Sequence, residues 1–143
     1  MPVVRLALTI LLLSLFALTQ SACSGTRVGT KSDEMYNAQP LRVVIPDGVE
    51  DAAAIKAAES ALIARDWKVI NKSYDQITGK LIHRRFDATV NIKIEGQSLV
   101  LYSDSTYLDP QTNEQTPAVP YGWLENLQRD IRKFIAYENY RSS

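Results

Sequence analysis

Ala88-Thr89-Val90-Asn91-Ile92-Lys93-Ile94-Glu95, followed at once by Gly96-Gln97 and Ser98-Leu99-Val100-Leu101-Tyr102, is the stretch that decides the fold. Ala88, Val90, Ile92 and Ile94 alternate with Thr89, Asn91, Lys93 and Glu95 without a break. That is the period of an antiparallel strand with one buried face and one wet face. Gly96 adopts positive φ at little cost, so Gly96-Gln97 closes a tight hairpin onto a strand from Leu99 to about Thr106.

Working outward, Gly79 to Arg85 reads as a strand after an Asp75–Thr78 turn, and Trp67 to Ser73 as another. Leu41 to Ile45 is a short strand stopped by Pro46. Asp47 with Glu50 three residues on has the spacing of a capping box, and starts a helix to about Arg65. Ile55, Ala58 and Leu62 share one face of it, with Ala54, Ala57 and Ala61 beside them, small enough to let a sheet approach. Asp109 to Ala118 reads as a loop. A last helix from near Pro120 carries Trp123, Leu127, Ile131 and Phe134 on one stripe. The order β-α-β-β-β-β-α predicts an α+β fold: a two-layer, mostly antiparallel five-stranded sheet with both helices on one face.

The chain of 143 residues opens on a different kind of segment. Arg5 precedes Leu6–Leu18 (LALTILLLSLFAL), a thirteen-residue apolar stretch whose only polar members are Thr9 and Ser14, and Thr19-Gln20-Ser21-Ala22 leads to Cys23. Thirteen residues suit a signal peptide and fall short of the roughly 20 that cross a bilayer. Ser21-Ala22-Cys23-Ser24 resembles the end of a lipobox, with Gln20 where an aliphatic residue is usual. Cys23 is the only cysteine, so a disulfide within the chain is excluded and lipidation is its expected role. At least two acyl chains on it would anchor the chain stably. Ser24, in place of an aspartate, favours the inner leaflet of the outer membrane, facing the periplasm. The expected organisation is a signal peptide over 1–22, a lipidated Cys23 and flexible tether over 23–40, and one domain over 41–143. Treated as a coil, the seventeen residues from Ser24 to Pro40 span roughly 20–25 Å.

Removal of Met1–Ala22 takes one cation, Arg5, from the sixteen, leaving fifteen against sixteen carboxylates and a net charge of −1. Bulk charge therefore argues against nucleic-acid binding.

Several segments follow one another in a particular order: Arg65-Asp66-Trp67; Arg84 with Ala88-x-Val90-x-Ile92; Val100-x-Tyr102-x-Asp104-Ser105-x-x-Leu108; and Trp123-x-x-Asn126-Leu127-x-x-Asp130-Ile131. Over Ala61 to Ile135 the chain resembles a family of small bacterial envelope lipoproteins. That family has no established activity, so the resemblance implies fold and location and transfers no catalytic residue. Two positions depart from it. Tyr121-Gly122-Trp123 replaces a frequent Tyr-Asn-x-Trp, and Phe86 stands where a histidine is frequent.

Neither catalysis nor a metal or cofactor is expected. His83 is the only histidine, and no Cys or second His accompanies it. Ser103, Asp104 and Ser105 lack the strained elbow and oriented base of a hydrolase. Asp75, Asp87 and Asp109 occupy turns, where Asp bonds nearby backbone. Trp67 and Trp123 have core spacing.

Strand parity gives a sharper expectation. With two-residue turns at Phe86-Asp87 and Gly96-Gln97, Trp67, Val69, Leu81, Ile92, Leu99 and Leu101 lie under the helices. Lys68, Lys72, Lys80, Arg84 and Lys93 then share the open face with Ile70, Ile82, Val100 and Tyr102, opposed there by Glu95 and Asp104. Such a face fits a non-catalytic binding or assembly module with an anionic partner: lipid headgroups, a cell-wall polymer or an acidic protein surface. A solvated surface that discourages edge pairing is the plainer reading of the same lysines. A further alternative is a small-molecule binder or minor enzyme, with a pocket between the last helix and the sheet near Trp123, His83 and Asp104.

Overall fold

The computed structural model describes residues 33–142. The leader, Cys23 and residues 24–32 lie outside the described residues. The fold is the expected α+β arrangement, an antiparallel sheet with helices packed on it. Its strands are β1 (Leu41–Val44), β2 (Lys68–Lys72), β3 (Gln76–His83), β4 (Phe86–Glu95), β5 (Ser98–Ser103), β6 (Thr106–Leu108) and β7 (Gln115–Pro117). They run in the order β1-β5-β4-β3-β2, with β6 on β4 and β7 on β6. Helices are α1 (Asp33–Ala38), α2 (Asp51–Ala64) and α3 (Tyr121–Ser142).

Seven strands replace the expected five for a local reason. Ser103 pairs with Val90 and Thr106 with Asp87, so β6 continues the register of β5 along β4. Between them the Ser105 hydroxyl accepts the Thr89 N–H at 3.1 Å and donates to the Thr89 carbonyl at 3.3 Å. A side chain thus stands in for ladder bonds where the strand breaks. β7 then folds back on β6 from within the segment expected to be a loop.

The tether expectation is corrected at its end. Residues 33–38 form α1, and Tyr36 is 2 % exposed. Its hydroxyl donates to the Leu101 carbonyl at 2.8 Å and its ring meets Tyr121 edge-on at 6.2 Å. Burial pushes that phenol up to about 12, so it remains a donor at neutral pH. Asn37 grips the Ser103 backbone twice, accepting its N–H at 2.9 Å and donating to its carbonyl at 2.8 Å. The folded unit therefore includes Asp33–Ala38, ahead of Leu41.

α2 keeps its expected face, with Ala54, Ile55, Ala57, Ala58, Ala61 and Leu62 all buried. The capping box does not form. Glu50 is the N-cap without a side-chain cap bond, and Asp47 instead accepts from the Gln97 amide at 2.8 Å. At the other end Asp66 takes a left-handed conformation (φ 61°), the Trp67 N–H bonds the Leu62 carbonyl, and the chain turns back into β2. Leu62 rests on Gly79 in the middle of β3, where a Cβ would lie 2.5 Å from its Cδ2. On α3 the buried stripe is Leu124, Leu127, Ile131 and Ile135. Trp123 and Phe134 flank it and are only partly buried. Gln128 of α3 donates to the Arg42 carbonyl at 2.8 Å and so covers part of the β1 edge.

Candidate functional site

The β3–β4 turn falls at Arg84-Arg85, because His83 pairs with Phe86. The expected turn lay two residues later. Phe86 is held in an aromatic group, 5.3 Å from Trp123 and 5.0 Å from Tyr107, and a turn there would have exposed it. Leu81 consequently faces Ala88. The slip preserves parity, so Leu81, Ile92, Leu99 and Leu101 stay on the helix side, and Lys68, Lys80, Lys93 and Tyr102 on the open side.

Lys72 is a correction. The ladder shifts between Val69 and Asn71, leaving Ile70 as a bulge. A single extra residue reverses the faces beyond it. Lys72 therefore pairs with Ile77 on the helix side, and its Nζ lies 2.5 Å from Glu59 of α2. Val100 is a second correction. It is on the open face, between Arg42 and Lys93 by register, yet 0 % exposed, so it offers no contact surface. Arg84 occupies the turn, at the end of that face, with φ 54°.

Charge on the open face is more balanced than the sequence implied. The shifted turn brings Asp87 into β4, where it meets Lys80 at 3.0 Å. Arg42, which parity had left unassigned, joins the face and pairs with Glu95 at 3.6 Å. Tyr102 donates to Glu95 at 2.7 Å, which raises its own pKa, and Lys93 sits 5.7 Å over the Tyr102 ring. Arg42, Lys93, Glu95 and Tyr102 thus form a self-satisfied group around Val100. Cationic surface is left at the other side, where Lys68 faces Lys80 across the ladder and Arg84-Arg85 close the hairpin. Ile82 there is 70 % exposed and Ile70 is 51 % exposed.

The alternative pocket assembles only in part. Leu81, His83, Trp123, Asn126, Arg65 and Asp66 line a cleft of about 230 Å³, with His83 5.8 Å from the Trp123 ring. Asp104 does not line it. Its N–H bonds the Thr89 carbonyl, and the β5 register puts it on the open side of the sheet. The larger groove, about 640 Å³ between α2 and α3, holds charges already paired with one another: Lys56 with Glu138 at 3.6 Å and Lys133 with Asp130 at 3.8 Å. Asp130 also takes Arg65 at 2.6 Å, and that hydrogen bond holds its carboxyl below the usual range. Among the described residues no group of three His, Cys, Asp or Glu is placed to hold a metal ion. No described helix is long and apolar enough to cross a membrane.

Asp33 of α1 sits beside Ser103 and Ser105, with the Ser105 N–H 3.4 Å from Oδ2. Burial raises its pKa above the ordinary 3.8. A carboxyl raised in the folded state stabilises fully below 3.8, and that contribution is lost as pH rises through the folded value. Docking of α1 is accordingly expected to be tighter in mild acid than at neutral pH. Amide exchange at Tyr36–Ala38 should slow on acidification after correction for intrinsic rates. Asp33→Asn should abolish that dependence.

No family model, no curated protein and no solved structure matches the chain.

Proposed function

We propose that this is a lipid-anchored, non-catalytic binding module of a bacterial cell envelope. It engages an anionic envelope component through the β2–β3 side of its open sheet face. The observation that carries the reading is the juxtaposition of Lys68, Lys80 and Arg84 beside exposed Ile82 and Ile70, with Asp87 the one carboxylate paired among them. The apolar leader ending at Cys23 supplies the anchor and the location, in the inner leaflet of the outer membrane facing the periplasm. Exposed isoleucines beside Lys68, Lys80 and Arg84, of which Lys80 alone is in an ion pair among the described residues, are a poor choice for a merely solvated face and a good one for a contact surface.

The test is retention of an anchor-free chain, Cys23→Ser, by washed envelope fractions. Reversal of Lys68, Lys80 and Arg84 to Glu is expected to lower retention at least tenfold. Lys72→Glu, on the helix side, should leave it unchanged. Equal retention of all three proteins would remove the reading.

A further inference from the structure

We infer that the β3–β4 hairpin end is a membrane-contacting edge, which takes the anionic headgroups of the membrane that holds the lipidated cysteine. This rests on the anchored-module reading and names the partner of that same face.

The first observation is where the chain enters the fold. Asp33 lies against Ser105, and the next residue, Thr106, pairs with Asp87, two residues from the Arg84-Arg85 turn. The entry point and the hairpin are therefore at one end of the sheet. Ten residue steps separate Cys23 from Asp33, a span of at most roughly 35 Å whatever its conformation. The Ser105 hydroxyl bonds Thr89 of β4, four residues from Arg85 and seven from Gly96. At roughly 3.3 Å per residue the hairpin therefore lies about 13 Å from the entry point and Gly96-Gln97 about 23 Å, so the hairpin is the end nearer to the anchored link.

The second observation is what the near end displays. β2 begins opposite Lys80, so Ile82 to Arg85 overhang the sheet with no strand beside them on that side. Ile82, His83, Arg84 and Arg85 are all exposed. An apolar residue flanked by arginines and lysines matches the boundary between acyl chains and anionic headgroups. Of the carboxylates at this end, Asp87 lies opposite Ile82 and is paired with Lys80, and Asp109 follows Leu108, which bonds the Arg85 carbonyl; Asp33 and Asp104 lie across β4, and Asp66 on the helix side of the cleft. Arg84 adds a third indication. It holds a left-handed φ that Gly or Asn adopts more readily, so the turn is not optimised for folding.

The test is flotation of the mature Cys23→Ser chain with vesicles of phosphatidylglycerol or of phosphatidylcholine alone. Binding is expected to phosphatidylglycerol only, and to weaken with salt. Arg84→Gly relieves backbone strain and removes one cation, so it should fold normally and bind about fivefold more weakly. Ile82→Ser should bind more weakly as well, while Lys93→Gln should bind as the parent does. Binding to both vesicles alike, or an equal loss with Lys93→Gln, overturns the assignment. If envelope fractions retain the chain through Lys68, Lys80 and Arg84 while phosphatidylglycerol vesicles do not, the partner is not lipid and the open-face reading stands. If neither retains it, both are gone.

Discussion

Tyr36→Ala is expected to lower the free energy of unfolding by about 3 kcal/mol, the scale of an aromatic removed from a core. The ring is buried against Tyr121 and its hydroxyl satisfies the Leu101 carbonyl. Truncation leaves a cavity and an unmatched carbonyl together. Because α1 is short and comes first in the described fold, loss of its anchor should also release Asn37 from Ser103. Amides of α1 should then exchange at near-random-coil rates. Tyr36→Phe keeps the ring and should cost only about 1 kcal/mol. Chemical denaturation of the three proteins checks the ranking. A Tyr36→Ala value within about 0.5 kcal/mol of the parent, the range of ordinary surface changes, would mean that α1 is not docked.

Gly79→Ala is the second large effect, expected to destabilise by about 1–3 kcal/mol. A methyl at this position collides with Leu62, which is fully buried. The layers must separate slightly or Leu62 must leave its rotamer. Replacing a glycine inside a strand by a larger residue usually gains stability, since glycine weakens strands. The sign here is opposite because helix and sheet touch backbone to side chain. Pairing Gly79→Ala with Leu62→Ala separates the two contributions. The double variant should be less destabilised than the sum of the singles, and strict additivity would show that the clash is absent.

These two sites differ in how far the sequence discloses them. The α2 face of Ile55, Ala58 and Leu62 and the alternation in β4 are periodic, and periodicity survives small errors. The β3–β4 turn moved by two residues, yet every side chain kept its face, because the error changed the pairing by an even number. Lys72 failed for the complementary reason. One bulge residue at Ile70, unmarked by Gly or Pro, reversed the face beyond it. α1 was illegible because its helix is six residues of mostly polar sequence. Its stability comes from Tyr36 and Asn37 reaching partners about 65 residues away. Ser105 replacing ladder bonds and Asp47 choosing Gln97 over a cap are likewise tertiary outcomes. Arg42 is not placed by the sequence, because nothing within β1 sets its register against β5.

The candidate face shows the same division. Parity brought Lys68, Lys80 and Lys93 together correctly. Tertiary neighbours decided which of them remain available: Lys93 is absorbed over Tyr102, while Lys68 and the hairpin arginines are not. The proposed contact surface is therefore smaller than five cations on a face, and concentrated at one end.

An envelope module held by lipid requires acyl chains on one particular sulfur. Intact mass and peptide spectra of the protein purified from membranes measure this directly. The account predicts a chain beginning at Cys23 that carries a diacylglyceryl group. A soluble chain with an unmodified Cys23, or one that retains Met1–Ala22, contradicts it.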